Sequence, residues 1–226
     1  MPRIYLDNAA TSWPKPEAVY RAVDDYQRRL GAPAGRGSYV EAGETERIVF
    51  SCRKKIAAFV GATDPSRIIF TQNGTDSLNI ALHGLLRPGD HAVTTVCEHN
   101  SVLRPLRFLA EHRGVTTTYV PCDGQGYIDP DAVRQAITPK TRMITLVHAS
   151  NVTGAIQPAK AVGKIAAEHG VFFLLDAAQS IGHVPIDVTS LGCHLLAAPG
   201  HKGLLGPLGT GLLYLAPGIE QHLLPT

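Results

Sequence analysis

The chain has 226 residues, a formal net charge of +2, 44% hydrophobic and 18% charged residues, the values of a globular protein with a sizeable core. Its charges are dispersed without a basic run, which gives no case for nucleic acid, and no apolar stretch reaches the roughly 20 residues needed to cross a bilayer. The opening Met-Pro-Arg-Ile-Tyr-Leu-Asp lacks the apolar core of a secretory signal, so a cytoplasmic protein is expected.

Residues 1–15 read as an N-terminal arm and 16–226 as one large domain. Pro16-Glu17 opens a predicted helix over Pro16–Leu30, which Gly31 closes. Gly31-Ala-Pro-Ala-Gly-Arg-Gly follows, either a simple connector or a mobile loop at the mouth of a site. A second helix is predicted at Thr45–Val60. Strands and helices then alternate: strand Arg67–Thr71, helix Thr75–Leu85, strand His91–Val96, helix Ser101–Arg113, strand Thr116–Val120, helix Asp129–Ala136. Strand Met143–Ala149, helix Pro158–His169 and strands Val171–Asp176, His194–Ala198 and Thr210–Leu215 complete the series. Runs such as Phe172-Phe173-Leu174-Leu175 are apolar throughout, as strands buried on both faces are. The expected fold is α/β: three layers, α/β/α, around a mostly parallel seven-stranded sheet.

In such sheets ligands gather beyond the carboxyl ends of strands. Asn73-Gly74-Thr75, Glu98-His99, His148–Asn151, Asp176–Gln179 and Gly200–Lys202 all lie just past predicted strand ends. Lys202 sits in a Gly-His-Lys-Gly turn, where small neighbours let backbone approach a ligand and burial would leave a nucleophilic amine. Asp176 closes a strand that is otherwise apolar. It reads either as a helix N-cap or as the carboxylate partner of a pyridinium nitrogen. Gln179 is then placed to reach a phenolic oxygen. His99 is either an ordinary loop histidine or a ring that stacks on a cofactor and exchanges protons. Gly74-Thr75 opens a helix, a setting that binds phosphate. An amine, a carboxylate, an imidazole and a phosphate-binding helix start together point to pyridoxal 5′-phosphate (PLP). Arg36 and Asn8 are candidates for holding a substrate carboxylate, a task that suits the arginine fork.

The four cysteines, Cys52, Cys97, Cys122 and Cys193, match neither a metal knuckle nor a Cys-x-x-Cys pair. The ten histidines contain no His-x-x-x-His pair. Reduced thiols and no metal centre are expected.

With these motifs in view, the chain resembles class V aminotransferase-fold enzymes of the cysteine desulfurase and selenocysteine lyase group. Tyr5-Leu-Asp-Asn-Ala-Ala-Thr11 is close to that family's opening. Glu98-His-Asn-Ser101, His148-Ala-Ser-Asn-Val-Thr-Gly154, Asp176-Ala-Ala-Gln179 and Gly200-His-Lys-Gly203 match its later blocks in order. The resemblance implies PLP fold type I, with a small C-terminal domain that this sequence lacks, and a homodimer acting on cysteine or selenocysteine. It makes Lys202 the Schiff-base lysine, His99 the stacking and proton-handling residue, and Asp176 and Gln179 the partners of the ring nitrogen and phenolic oxygen. Gly74, Thr75 and His201 go to the phosphate, and Asn151 goes beside the ring near the substrate carboxylate. Two departures stand out. None of the four cysteines occupies the family's persulfide position, which leaves activity incomplete or absent in this chain as written. Pro199 replaces a hydroxyl residue common in relatives and so removes one phosphate contact.

Overall fold

The protein is described by a computed structural model covering residues 4–225. Seven strands form one sheet: β1 (Ile68–Thr71), β2 (His91–Thr95), β3 (Thr116–Val120), β4 (Thr141–Val147), β5 (Phe172–Asp176), β6 (Leu195–Pro199) and β7 (Gly211–Leu215). Their order across the sheet is β1-β7-β6-β5-β4-β2-β3. β7 runs antiparallel to both of its neighbours, while β6, β5, β4, β2 and β3 pair in parallel. This is the mostly parallel seven-stranded α/β architecture that the sequence predicts.

Alternate residues of the central strands feed two separate cores. On one face Ile144, Leu146, Phe173, Leu175, Leu196 and Ala198 pack with Ala57, Val133 and Val162. These come from the helices α2 (Val40–Phe59), α5 (Pro130–Gln135) and α6 (Ala159–Glu168). On the other face Met143, Leu174, Leu195, Ala197 and Leu213 meet Leu78, Leu82, Leu106 and Leu109. Those belong to α3 (Gly74–Leu85) and α4 (Asn100–Arg113). A strand clothed on both sides has no polar position to alternate, hence the continuous apolar runs.

Two predicted helices differ in extent. The first consists of α1 (Glu17–Asp25) and a π-helical turn (Tyr26–Leu30), capped by Gly31 in the left-handed region at φ 55°. α2 starts at Val40 and not at Thr45. It runs straight through Gly43, where a side chain would meet open space, so that glycine does not break the helix.

α6 lies close enough to the 189–192 turn that a Cβ on Gly163 would overlap the Leu191 carbonyl. Neither partner is a flexible side chain, so the contact resists relief. Gly163→Ala is expected to destabilise the fold by about 2 kcal/mol or more. Urea unfolding should show the loss as a lower midpoint at unchanged slope.

Candidate active site

A pocket opens where β4, β5 and β6 end and α3 and α4 begin. That is a usual place for a small-molecule site in an α/β sheet. Its lining includes Gly74, Thr75, His99, Asn151, Asp176, Gln179, His201 and Lys202. Eight residues proposed from separate strand ends therefore share one cavity. Asn8 and Arg36 do not line it. Both are exposed, and Asn8 Oδ1 accepts the Trp13 amide at 3.2 Å.

The charged groups are held by burial. Asp176 is 2% exposed, and burial pushes its carboxyl above the usual range. The Ala178 amide, His99 and Lys202 act in the opposite direction. Asp176 also caps the following turn, accepting the Ala178 N–H at 2.9 Å. The cap reading and the pocket reading thus describe two oxygens of one side chain. Lys202 is half-buried, and burial lowers its ammonium below the ordinary lysine value, with Asp176 pulling it back up. The turn carrying it is fixed by Leu205 N–H to Lys202 O at 2.9 Å and Gly206 N–H to Gly200 O at 2.7 Å. Leu205 adopts φ 59°, an uncommon conformation for a branched residue.

At the other end of the pocket, Asn73 caps α3 by accepting the Asp76 amide at 2.8 Å. The first amides of α3 then face the cavity in the arrangement that suits an anion. A Cβ on Gly74 would stand 3.0 Å from Pro199 Cδ. Pro199 therefore closes directly on the helix start, which only glycine tolerates there. Thr75 Oγ1 and Ser101 Oγ lie 2.8 Å apart, and Ser101 Oγ is 2.8 Å from His99 Nδ1. His99 caps α4: its Nδ1 accepts the Ser101 amide at 3.1 Å. A neutral His99 with Nδ1 accepting carries its proton on Nε2.

Sequence reasoning missed two groups. Glu98 is 6% exposed. Its Oε1 accepts Thr95 Oγ1 at 3.0 Å and the Val147 amide at 2.8 Å, while Oε2 has no partner. Burial, assisted by Asp176, pushes its carboxyl up to about 8. The signal was a carboxylate following a fully buried strand. The second group is the segment Thr11–Lys15. The His201 carbonyl accepts Ser12 N–H at 3.1 Å, Ser12 Oγ at 3.0 Å and Lys15 Nζ at 2.5 Å. His201 Nδ1 also meets Thr11 Oγ1 at 3.0 Å, and Gln179 Nε2 donates to Ala9 O at 2.8 Å. No local pattern in the sequence announces contacts between residues this far apart in the chain.

The set fits PLP on the chemistry of its donors. It offers a depressed amine, a buried carboxylate, a ring over the pocket and a capped helix start tight enough to require glycine. No thiol belongs to it, because none of the four cysteines lines the cavity. Among the described residues no helix is long and apolar enough to cross a membrane, and no cluster of side chains is arranged to hold a metal ion.

Comparison with known proteins agrees with this geometry. The probable cysteine desulfurase of Methanothermobacter thermautotrophicus is 40% identical over 223 residues, which cover 98% of this chain and 55% of that protein. Cysteine desulfurase IscS of Dictyoglomus turgidum is 38% identical over 224 residues, covering 97% and 55%. The apo structure of cysteine desulfurase from Thermococcus onnurineus NA1 superposes with a TM-score of 0.92 at 36% identity, covering 98% of this chain and 56% of that one. SspA in complex with cysteine gives 0.91 at 33% identity, covering 98% and 63%. The chain thus spans about 55% of the length of these curated relatives. The family model described as Aminotransferase class-V matches residues 4–226, and the chain belongs to that family.

Proposed function

We propose that this chain supplies the cofactor-holding and proton-handling part of a PLP-dependent cysteine desulfurase. The observation that carries the proposal is the half-buried amine of Lys202 sharing a cavity with the buried carboxyl of Asp176 and the capped start of α3. The similarity to proteins named as cysteine desulfurases supplies the substrate class.

PLP, when bound, supplies an electrophilic carbon for an amine and a ring that accepts electron density from an amino-acid α-carbon. Lys202, whose ammonium burial lowers below the ordinary lysine value, would give its Nζ to that carbon and carry a proton to and from the α-carbon. Asp176 holds negative charge where a protonated ring nitrogen needs a partner. The Gly74 and Thr75 amides, with Thr75 Oγ1 and His201, bind the phosphate. His99, which lines the pocket, would pack against the cofactor, with its proton on Nε2 when neutral. Gln179, with one amide hydrogen given to Ala9, keeps the other for the phenolic oxygen. Asn151 orients the amino-acid carboxylate at the pocket mouth. In this reading the thiol that accepts sulfur is none of Cys52, Cys97, Cys122 and Cys193. For Glu98 the reading has a consequence: with Asp176 ionised, Glu98 keeps its proton, since two adjacent buried carboxylates repel.

The central test uses the chain incubated with PLP. Borohydride reduction and peptide mapping should fix a phosphopyridoxyl group on Lys202 and leave Lys15 free. In D₂O the loaded chain should exchange the α-hydrogen of added cysteine, followed by NMR, and Lys202→Ala should abolish the exchange. A label on Lys15 alone, or a loaded chain that leaves the cysteine α-hydrogen untouched, overturns the proposal.

Asp176→Asn removes a charge-assisted contact of about 1.5–3 kcal/mol. PLP titration should therefore show affinity reduced by roughly 10- to 150-fold. Equal affinity for the variant would remove Asp176 from its assigned place.

Glu98 gives a pH signature. Its folded-state value, about 8, lies above the ordinary glutamate value of 4.5. Stability from the neutral buried acid is therefore fully present below pH 4.5 and is lost as pH rises through 8. Glu98→Gln removes the Glu98 part. Urea midpoints at pH 5 and pH 8 should show the variant losing about 1–3 kcal/mol less over that range.

A further inference from the structure

β2 and β3 pair in parallel from His91↔Thr116 to Thr95↔Val120. The ladder continues one step further, with Val96 N–H donating to Val120 O at 3.0 Å. Two residues beyond each strand end, in the same register, stand Cys97 and Cys122. Neighbouring strands lie roughly 4.8 Å apart, inside the range of about 4.4–6.8 Å that Cα atoms span across a disulfide. The two thiols are close enough to perturb each other electrostatically, and Cys97 Sγ lies 3.7 Å from Gly126 O. Both are half-buried, so a small reagent reaches them. Cys52 on α2 and Cys193 before β6 sit elsewhere in the fold.

We infer that Cys97 and Cys122 form a redox-responsive pair that closes into a reversible disulfide beside the candidate active site. Each side of the bond leads to a pocket residue. Cys97 N–H donates to Thr95 Oγ1 at 3.2 Å, which in turn donates to Glu98 Oε1, and His99 follows directly. Cys122 opens the 122–128 turn, tied back by its bridge to Ile128. In that turn Gly126 O accepts Gln157 Nε2 at 2.7 Å, and a Cβ on Gly126 would stand 2.9 Å from Thr153 Oγ1. The Gly126 contacts reach the 150–157 loop that carries Asn151. Joining the two sulfurs therefore braces the His99 turn against the turn that supports Asn151. This inference does not depend on the proposed catalytic reaction.

The oxidant is a low-molecular-weight organic disulfide. Burial, then the neighbouring Cys122, hold the Cys97 thiol up at about 12, and Cys97 S–H points to the Gly126 carbonyl. Cys122 therefore opens the exchange: its sulfur attacks the organic disulfide, forms a mixed disulfide and expels one thiolate. The Cys97 sulfur then attacks Cys122, gives up its proton and expels the second thiolate. Two protein thiols lose two electrons, and one organic disulfide becomes two thiols.

The test exposes the whole chain to glutathione disulfide, alkylates the remaining thiols and maps peptides by mass spectrometry. A Cys97–Cys122 cross-link, with a mass about 2 Da below the reduced chain and reversed by dithiothreitol, is expected. Cys97→Ser should instead retain glutathione on Cys122. Amide hydrogen exchange should slow by about threefold or more at residues 96–99 and 122–127 on oxidation. Both thiols remaining open to alkylation, or cross-linking to Cys52 or Cys193, overturns the pair. A cross-link with unchanged amide exchange overturns its bracing of the site.

Discussion

Two carboxyl groups, Glu98 and Asp176, sit within electrostatic reach of each other at the ends of β2 and β5. Both are buried, and a protein interior screens two negative charges poorly. The arrangement therefore holds at most one of them ionised at neutral pH. Local bonding does not decide which one, since each accepts a backbone amide, from Val147 for Glu98 and from Ala178 for Asp176. The difference comes from their neighbours. Lys202 and His99 both favour charge on Asp176, whereas no basic group counters burial at Glu98. Glu98 is thereby left as a neutral strut joining β2 to β4, and Asp176 is the carboxylate available to a ligand.

That division governs the rest of the pocket. Lys202 is drawn in two directions, by burial toward the neutral amine and by Asp176 toward the ammonium. An amine balanced this way changes state on a small change in its surroundings. Its position is correspondingly well fixed. The 200–206 turn is crossed by two backbone hydrogen bonds, and the His201 carbonyl gathers donors from Ser12 and Lys15. The N-terminal segment thus braces the turn that carries His201 and Lys202. It joins residues far apart in sequence and holds the lysine turn from outside the sheet.

Much of this was legible in the sequence, for a physical reason. Strands buried on both faces are written as unbroken apolar runs, and the polar residue ending each run is where the chain leaves the sheet. The predicted strands accordingly lie within about two residues of the observed ones. Helix starts were less legible. α2 begins at Val40, five residues before its predicted start, and runs through Gly43. Asn8 and Arg36 were nominated from a chemical need, a clamp for a carboxylate, and need alone does not give a position. Both are exposed outside the pocket. Lys15 was unreadable because its partner, the His201 carbonyl, lies 186 residues away.

The cysteines show how far local sequence and spatial function can separate. Cys97 adjoins Glu98 and lies two residues from His99, so position in the chain favours it as a pocket nucleophile. The turn after β2 works against that. His99 lines the cavity, while Cys97 does not and its Sγ lies 3.7 Å from the Gly126 carbonyl. Its thiol is held near 12 and is a poor nucleophile at neutral pH. Cys193 is buried and held equally high, and Cys52 lies on the outer helix layer. In the function proposed above, proton handling at the α-carbon and capture of sulfur therefore fall to different groups, since the first needs a rigid, enclosed cavity. A thiol that accepts sulfur and passes it on needs the opposite: an ionised sulfur able to reach both the pocket and the solvent. The β-sheet end described here meets the first demand, and its closeness of packing is why no cysteine of the scaffold meets the second.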